Sequence, residues 1–223
     1  MHGNAIDGLI KNRNKVDFTI VGVVGTSFCF GDVGGSSSKK MFLGINDLVF
    51  SDVQYMASIG FRTIPFDRWG GKLSIFNTSL RGFDNGSRNG YREFEFNAKV
   101  LGIDAQIEYY FWKSMTNNFV QNSAYLFSGA GVANSQVKFK GELRPNDSCK
   151  PNVTTPFIPF GIGYNIKFME KLSFGAELGV QYMFTDYIDG ITTKYSKQND
   201  VISYFTFSIS YHVFQRDKCR FCE

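Results

Sequence analysis

Leu172-Ser-Phe-Gly-Ala-Glu-Leu-Gly-Val-Gln-Tyr-Met-Phe184 alternates without a break. Leu172, Phe174, Ala176, Leu178, Val180, Tyr182 and Phe184 fall on one side of an extended chain. Ser173, Gly175, Glu177, Gly179, Gln181 and Met183 fall on the other. A period of two marks a β-strand, here with one wholly apolar face and one small or polar face. Residues 157–168 repeat the design, with Ile158, Phe160, Ile162, Tyr164, Ile166 and Phe168 opposed to Gly161, Gly163, Asn165 and Lys167. So do residues 203–214, with Phe205, Phe207, Ile209, Tyr211 and Val213 opposed to Thr206, Ser208, Ser210 and His212. Each segment is about 12 residues long, the length that crosses a bilayer at a tilt, whereas strands of soluble proteins average about 5 or 6.

Working outward from these three, further strands are expected over 17–28, 53–64, 71–84, 91–111 and 124–139. In 91–111 the polar parity changes near Val100: Glu93, Glu95, Asn97 and Lys99 share one side, and Asp104, Gln106 and Glu108 the other. A β-bulge there would realign the faces. The fold class expected is therefore all-β, an eight-stranded antiparallel transmembrane barrel of the outer-membrane type. Residues 1–16 form an N-terminal periplasmic segment, 17–214 the barrel, and 215–223 a periplasmic tail. With the N-terminus in the periplasm, the connections 31–52, 85–90, 140–155 and 185–202 face outward, and 65–70, 112–123 and 169–171 face inward. Most outward links are long and most inward ones short, as bacterial barrels require; the link 112–123 is the anomaly.

Composition fits this reading. Aromatic residues make up 17% of 223, with 24 Phe, 11 Tyr and 23 Gly against 5 Pro and 2 His. Aromatic, glycine-rich strands suit a barrel with aromatic girdles. No apolar run is long enough for a transmembrane helix, and a mean hydropathy close to zero does not oppose a barrel, whose alternating faces cancel in any window. The net charge of +4 comes without the basic block that grips nucleic acid. Residues 1–15 lack the apolar core of a signal peptide, so the natural signal is expected to lie outside this sequence.

An eight-stranded barrel has room for side chains but no open channel. Charges in the lumen must pair, and Lys167 with Glu177, on adjacent strands, is the expected ion pair. No catalytic, cofactor-binding or metal-binding residues are expected. The two histidines, His2 and His212, lie at the N-terminus and at the periplasmic end of the last strand, away from any exterior site where a nucleophile would need a base. The four cysteines fall in two groups. Cys29 and Cys149 lie near the exterior and are a candidate disulfide. Cys219 and Cys222 sit in the periplasmic tail, either as a local disulfide or as a link to a partner. Partner contacts are expected from Trp112 and Phe119 in the long periplasmic link and from Arg216, Lys218, Arg220 and Phe221 beside the two tail thiols.

Three stretches carry a family resemblance: Gly25-Thr-Ser-Phe-Cys-Phe-Gly-Asp32, Phe160-Gly-Ile-Gly-Tyr-Asn-Ile-Lys167, and Gly175-Ala-Glu-Leu-Gly-Val-Gln-Tyr-Met-Phe-Thr-Asp-Tyr-Ile-Asp-Gly190. Together they resemble the small outer-membrane barrels of Bacteroidetes-type bacteria that include PorG, a component of the type IX secretion system. The resemblance implies a non-enzymatic protein that anchors or stabilises the periplasmic ring of the lipoprotein PorK with PorN. The Cys219/Cys222 tail lies outside those motifs. A general small barrel for envelope stability or loop-mediated binding is the second reading, and a lipid-modifying barrel enzyme the third. All place the chain in the bacterial outer membrane, among its lipids, with its C-terminus in the periplasm.

Overall fold

The period-two segments pair side by side until the first meets the last. In the computed structural model, which describes residues 17–30, 53–64, 68–83, 95–115, 121–140, 148–192 and 199–214, the chain-order strands are β1 (Asp17–Phe30), β2 (Gln54–Ile64), β3 (Trp69–Phe83), β4 (Glu95–Met115), β5 (Gln121–Lys140), β6 (Ser148–Cys149), β7 (Asn152–Lys167), β8 (Leu172–Met183), β9 (Ile191–Thr192) and β10 (Val201–Phe214). Eight of them close an antiparallel barrel in the order β1-β10-β8-β7-β5-β4-β3-β2. The seam runs from Phe18 opposite Phe214 to Phe30 opposite Val201. Closure leaves no sheet edge, the one way a sheet can sit in hydrocarbon with its backbone groups satisfied. The two-residue strands β6 and β9 pair with each other outside the barrel; no alternation announced them.

The faces divide as the sequence predicts. Ile107, Ile59 and Phe207 point outward and are 62%, 61% and 58% exposed, while Glu177, Gln181, Thr206, Ser208 and Ser210 point inward and are buried. Polar inside and apolar outside is the arrangement of a barrel solvated by lipid. On β4 the outward residues from Leu101 to Phe111 span about 33 Å of strand, or about 25 Å of height at a tilt of about 40°. That matches the apolar band of a transmembrane barrel. At one end the band closes in aromatic pairs: Phe18 with Phe61 at 5.6 Å, Trp69 with Tyr109 at 4.9 Å, and Phe168 with Phe174 at 4.9 Å between ring centroids.

The two ends differ. At the turn end the connections are 65–68, 116–120 and 168–171; at the loop end they are 31–53, 84–94, 141–151 and 184–200. The long link expected over 112–123 is mostly strand, because β4 continues to Met115 and β5 begins at Gln121. The bulge expected near Val100 is also absent: β4 pairs with β3 in unbroken register from Glu95 to Tyr109. The bulge lies instead between Tyr110 and Trp112 and turns both Phe111 and Trp112 outward, where both are exposed. The parity change at Val100 has another cause. Above Leu101 the wall built by β4 and β5 leaves the apolar band, so its outer face turns polar and its inner face apolar.

That inner face seals the loop end. Leu80, Phe96, Val100, Val137, Ile188 and Ile202 are buried in one apolar cluster across the lumen. Ile188 arrives from the long 184–200 connection: its N–H donates to Asp200 Oδ2 at 2.7 Å, and its carbonyl accepts from Ser135 Oγ at 3.2 Å. Gly190 then turns the chain at φ +86°, a conformation that favours glycine, with Val137 too close to admit a Cβ.

An outward charge at mid-band separates this barrel from a soluble one. Phe207→Arg is expected to lower stability by about 2–4 kcal/mol in lipid vesicles, measured by denaturant unfolding. A soluble barrel would tolerate the same exposed substitution to within about 0.5 kcal/mol.

Candidate functional site

Inward parity brings Arg62 on β2, Lys72 on β3, Asp104, Glu108 and Tyr110 on β4, Tyr125 on β5 and Glu177 on β8 into the turn-end half of the lumen. Arg62 is the hub. Its Nε donates to Glu108 Oε1 at 2.9 Å, and its Nη2 donates to Glu177 Oε1 at 3.0 Å and to the Tyr125 hydroxyl at 2.9 Å. With its amide oxygen turned toward the guanidinium, Asn165 accepts from Nη1 at 2.9 Å. Lys72 Nζ grips both oxygens of Glu177, at 3.0 and 2.9 Å. The Tyr125 hydroxyl donates to Glu177 Oε1 and the Tyr110 hydroxyl to Glu108 Oε2, each at 2.7 Å. The planar fork of arginine suits such a many-partnered hub better than a lysine ammonium.

The ion pair expected between Lys167 and Glu177 is therefore replaced. Glu177 faces Gly163 across the β7–β8 ladder, while Lys167 faces Ser173, further along the strand; the partners of Glu177 come from across the lumen. Glycine makes the room. A Cβ at Gly163 would stand 2.3 Å from the Tyr125 ring, so the inward glycine lets that ring lie over β7 and reach Glu177.

Asp104 accepts from Ser74 Oγ and, at 2.5 Å, from Gln106 Nε2. Beside it is a cavity of ≈ 20 Å³ lined by Lys72, Asp104, Gln106, Glu177, Gln181 and Thr206, among others, room for about one water molecule. Gln106 Oε1, Gln181 Oε1 and Thr206 Oγ1 have no hydrogen-bond partner among the described residues.

At the turn end, His212 Nε2 lies 2.9 Å from Ser173 Oγ and its Nδ1 3.1 Å from Thr19 Oγ1. The first is a nucleophile–base distance. The other ring nitrogen, however, meets a hydroxyl where a triad has a carboxylate, and Ser173 is buried in the barrel wall. The pairing with Ser173 was not anticipated from the sequence; the register of β8 on β10 creates it.

The remaining predicted residues separate. Cys29 and Cys149 are free thiols, not a disulfide: Cys29 packs against the apolar seal inside the barrel, while Cys149 is held in the β6–β9 ribbon opposite Ile191. Burial and the nearby Asp189 carboxylate push the Cys149 thiol above its ordinary range. Trp112 stacks on Tyr164 at 6.2 Å. Phe119, Arg216, Lys218, Cys219, Arg220, Phe221 and Cys222, with residues 1–16, lie outside the described residues. Arg62, Lys72, Tyr110 and Tyr125 were missed, although Arg62 and Lys72 stand at inward positions of their strands, the available signal.

No protein-family model matches this chain, and no curated protein matches it. Among solved structures it is similar to Neisserial surface protein A, with 9% identity, TM-score 0.45, and 87% of this chain and 96% of that one covered. It is similar to Ail, the attachment invasion locus protein of Yersinia pestis, with 11% identity, TM-score 0.44, and coverage of 89% and 98%. The outer membrane protein OprG of Pseudomonas aeruginosa shares 17% identity at TM-score 0.42, with coverage of 89% and 96%.

Removing one member of the lumen cluster strands the others. Glu177→Leu is expected to cost about 3–5 kcal/mol in unfolding from vesicles. Adding Lys72→Met should recover part of that loss, because Arg62 keeps Glu108; a double variant that loses the full sum of the two single losses would argue against the coupling.

Proposed function

We propose that this protein is a non-catalytic barrel of the bacterial outer membrane that works through its rims. The observation that carries this reading is the filled lumen: an apolar seal at the loop end above a network of paired charges at the turn end. Such a lumen offers no conduit, and the band around it is occupied by lipid, which leaves the two rims for partners. The turn end faces the periplasm and the loop end the exterior, a reading supported by the contrast in connection length.

The finer reading is an anchor for the PorK/PorN ring of the type IX secretion system. It is supported by the resemblance of the β1, β7 and β8 sequences to PorG-like barrels. The 215–223 tail, with Cys219 and Cys222 among Arg216, Lys218, Arg220 and Phe221, is the docking element in this reading. The barrel for general envelope stability shares every coarser feature and differs in not needing the tail.

Deleting residues 215–223 tests the finer reading. Secretion should fall, and PorK and PorN should no longer co-purify from gently solubilised outer membranes. Normal secretion with a folded, inserted truncation would leave the general barrel as the function. Orientation is tested separately. A membrane-impermeant maleimide applied to intact cells should label Cys149 and spare Cys219 and Cys222. Labelling should be slow at neutral pH and rise as the pH climbs past the usual thiol range, since the raised thiol is protonated below it.

A further inference from the structure

The wall above the band has an outer face that neither the lumen nor the band explains. Outward positions on β4 beyond Leu101 are Lys99, Asn97 and Glu95; on β5 beyond Val132 they are Asn134, Gln136, Lys138 and Lys140. Asn97 faces Lys138, and Lys99 faces Gln136, so the lysines alternate with amides on one continuous surface. Glu95 is the acidic group on this surface among the described residues, and Arg81 on β3 pairs with it at 3.3 Å. Lys99, Lys138 and Lys140 are exposed and leave the surface cationic.

Heights along each strand rank these lysines. With a rise of about 3.3 Å per residue and a tilt of about 40°, Lys99 stands about 5 Å above Leu101, and Lys138 and Lys140, opposite Asn97 and Glu95, about 10 and 15 Å above it. A phospholipid headgroup layer is about 5–7 Å deep on each side of the hydrocarbon. Lys99 lies within it. The backbones of Lys138 and Lys140 lie beyond it, and Lys140 stays beyond it even after its flexible stem bends toward the membrane. Between them, Asn134 Nδ2 donates to Asn152 Oδ1 at 2.7 Å and to Thr154 Oγ1 at 2.9 Å. That joins β5 to β7 in a strip of amides and hydroxyls that suits sugar hydroxyls.

We propose that the outer face of the β4–β5 wall binds a phosphorylated glycolipid of the adjoining leaflet. Its acyl chains lie on the apolar band, and its anionic saccharide headgroup climbs the wall past Lys99 to Lys138 and Lys140. The occupant is argued from charge complementarity and from the wall's continuity with the band below. A phospholipid headgroup stops short of Lys140; a tall, multiply phosphorylated headgroup reaches all three lysines. The inference rests on the membrane placement proposed above.

The test uses the full chain in vesicles of phosphatidylcholine alone, with phosphatidylglycerol, or with lipopolysaccharide. Amine modification of each lysine is followed by mass spectrometry. Phosphatidylglycerol should slow Lys99 and leave Lys140 at its phosphatidylcholine rate, and lipopolysaccharide should slow Lys99, Lys138 and Lys140, by about fivefold each. Lys138→Gln with Lys140→Gln, both exposed substitutions, should lower lipopolysaccharide retention in native mass spectrometry, and dephosphorylated lipopolysaccharide should bind wild type no better than that variant. Equal modification in all three vesicles, or equal retention by the variant, overturns the proposal. Equal protection by the deacylated oligosaccharide overturns its lipid source. Failure of the barrel to insert into phosphatidylcholine overturns the membrane placement and this inference with it.

Discussion

The pairing of β1 with β10 is the constraint from which the rest follows. In hydrocarbon an unpaired strand edge exposes a row of backbone donors and acceptors that no solvent satisfies, so the sheet must close. With eight strands the enclosed space is about as wide as the side chains that enter it. The lumen must then be packed like a core. Here the packing has two compositions: an apolar seal around Ile188 and Phe96 at one end, and the Arg62–Glu177–Lys72 cluster at the other.

A charged lumen is not the most stable filling. Buried ion pairs seldom outperform apolar side chains of the same volume. Their use here is in register. The outer face is apolar along most of the band, so a wholly apolar inner face would let a strand slip by one residue at little cost. With Arg62, Lys72, Glu108 and Glu177 inside, a one-residue slip of any of their strands would carry a charge into lipid, at roughly 2–4 kcal/mol for a basic residue at the midplane. The tyrosines complete the arrangement. Tyr125 crosses above Gly163 to reach Glu177, which ties the β7 glycine to the β8 carboxylate.

Strand identity and facing were legible because lipid and lumen impose opposite demands on successive residues, as residues 172–181 of β8 and 205–213 of β10 display. What was not legible were contacts across the lumen. Adjacent strands suggested Lys167 for Glu177, but a barrel of this width lets β8 touch β2 and β3, strands more than a hundred residues away in sequence. Nothing in a strand's own alternation encodes that chord. The candidate disulfide failed for a related reason. Cys29 and Cys149 both belong to the loop end, yet one faces into the barrel and the other lies in a ribbon outside it. Residues 215–223, on which the docking argument depends, carry no alternation from which to read a structure.

The misplaced bulge is the more instructive difference. Alternation reports which side of a strand meets which medium, and a strand that outgrows the membrane meets a second medium without changing its geometry. On β4 the outward residues pass from Ile103 and Leu101 to Lys99 and Asn97, while the inward ones pass from Asp104 to Val100, Ala98 and Phe96. Both faces invert together, which is what a change of surroundings produces. A bulge would have shifted one run of residues against the other and broken the ladder to β3, which is continuous. The inversion therefore marks the level at which β4 leaves the hydrocarbon. It also explains why the seal and the basic face occur on the same strands. Once outside lipid, the wall needs an apolar inner side to stand as a folded sheet, and its outer side is free to carry charge.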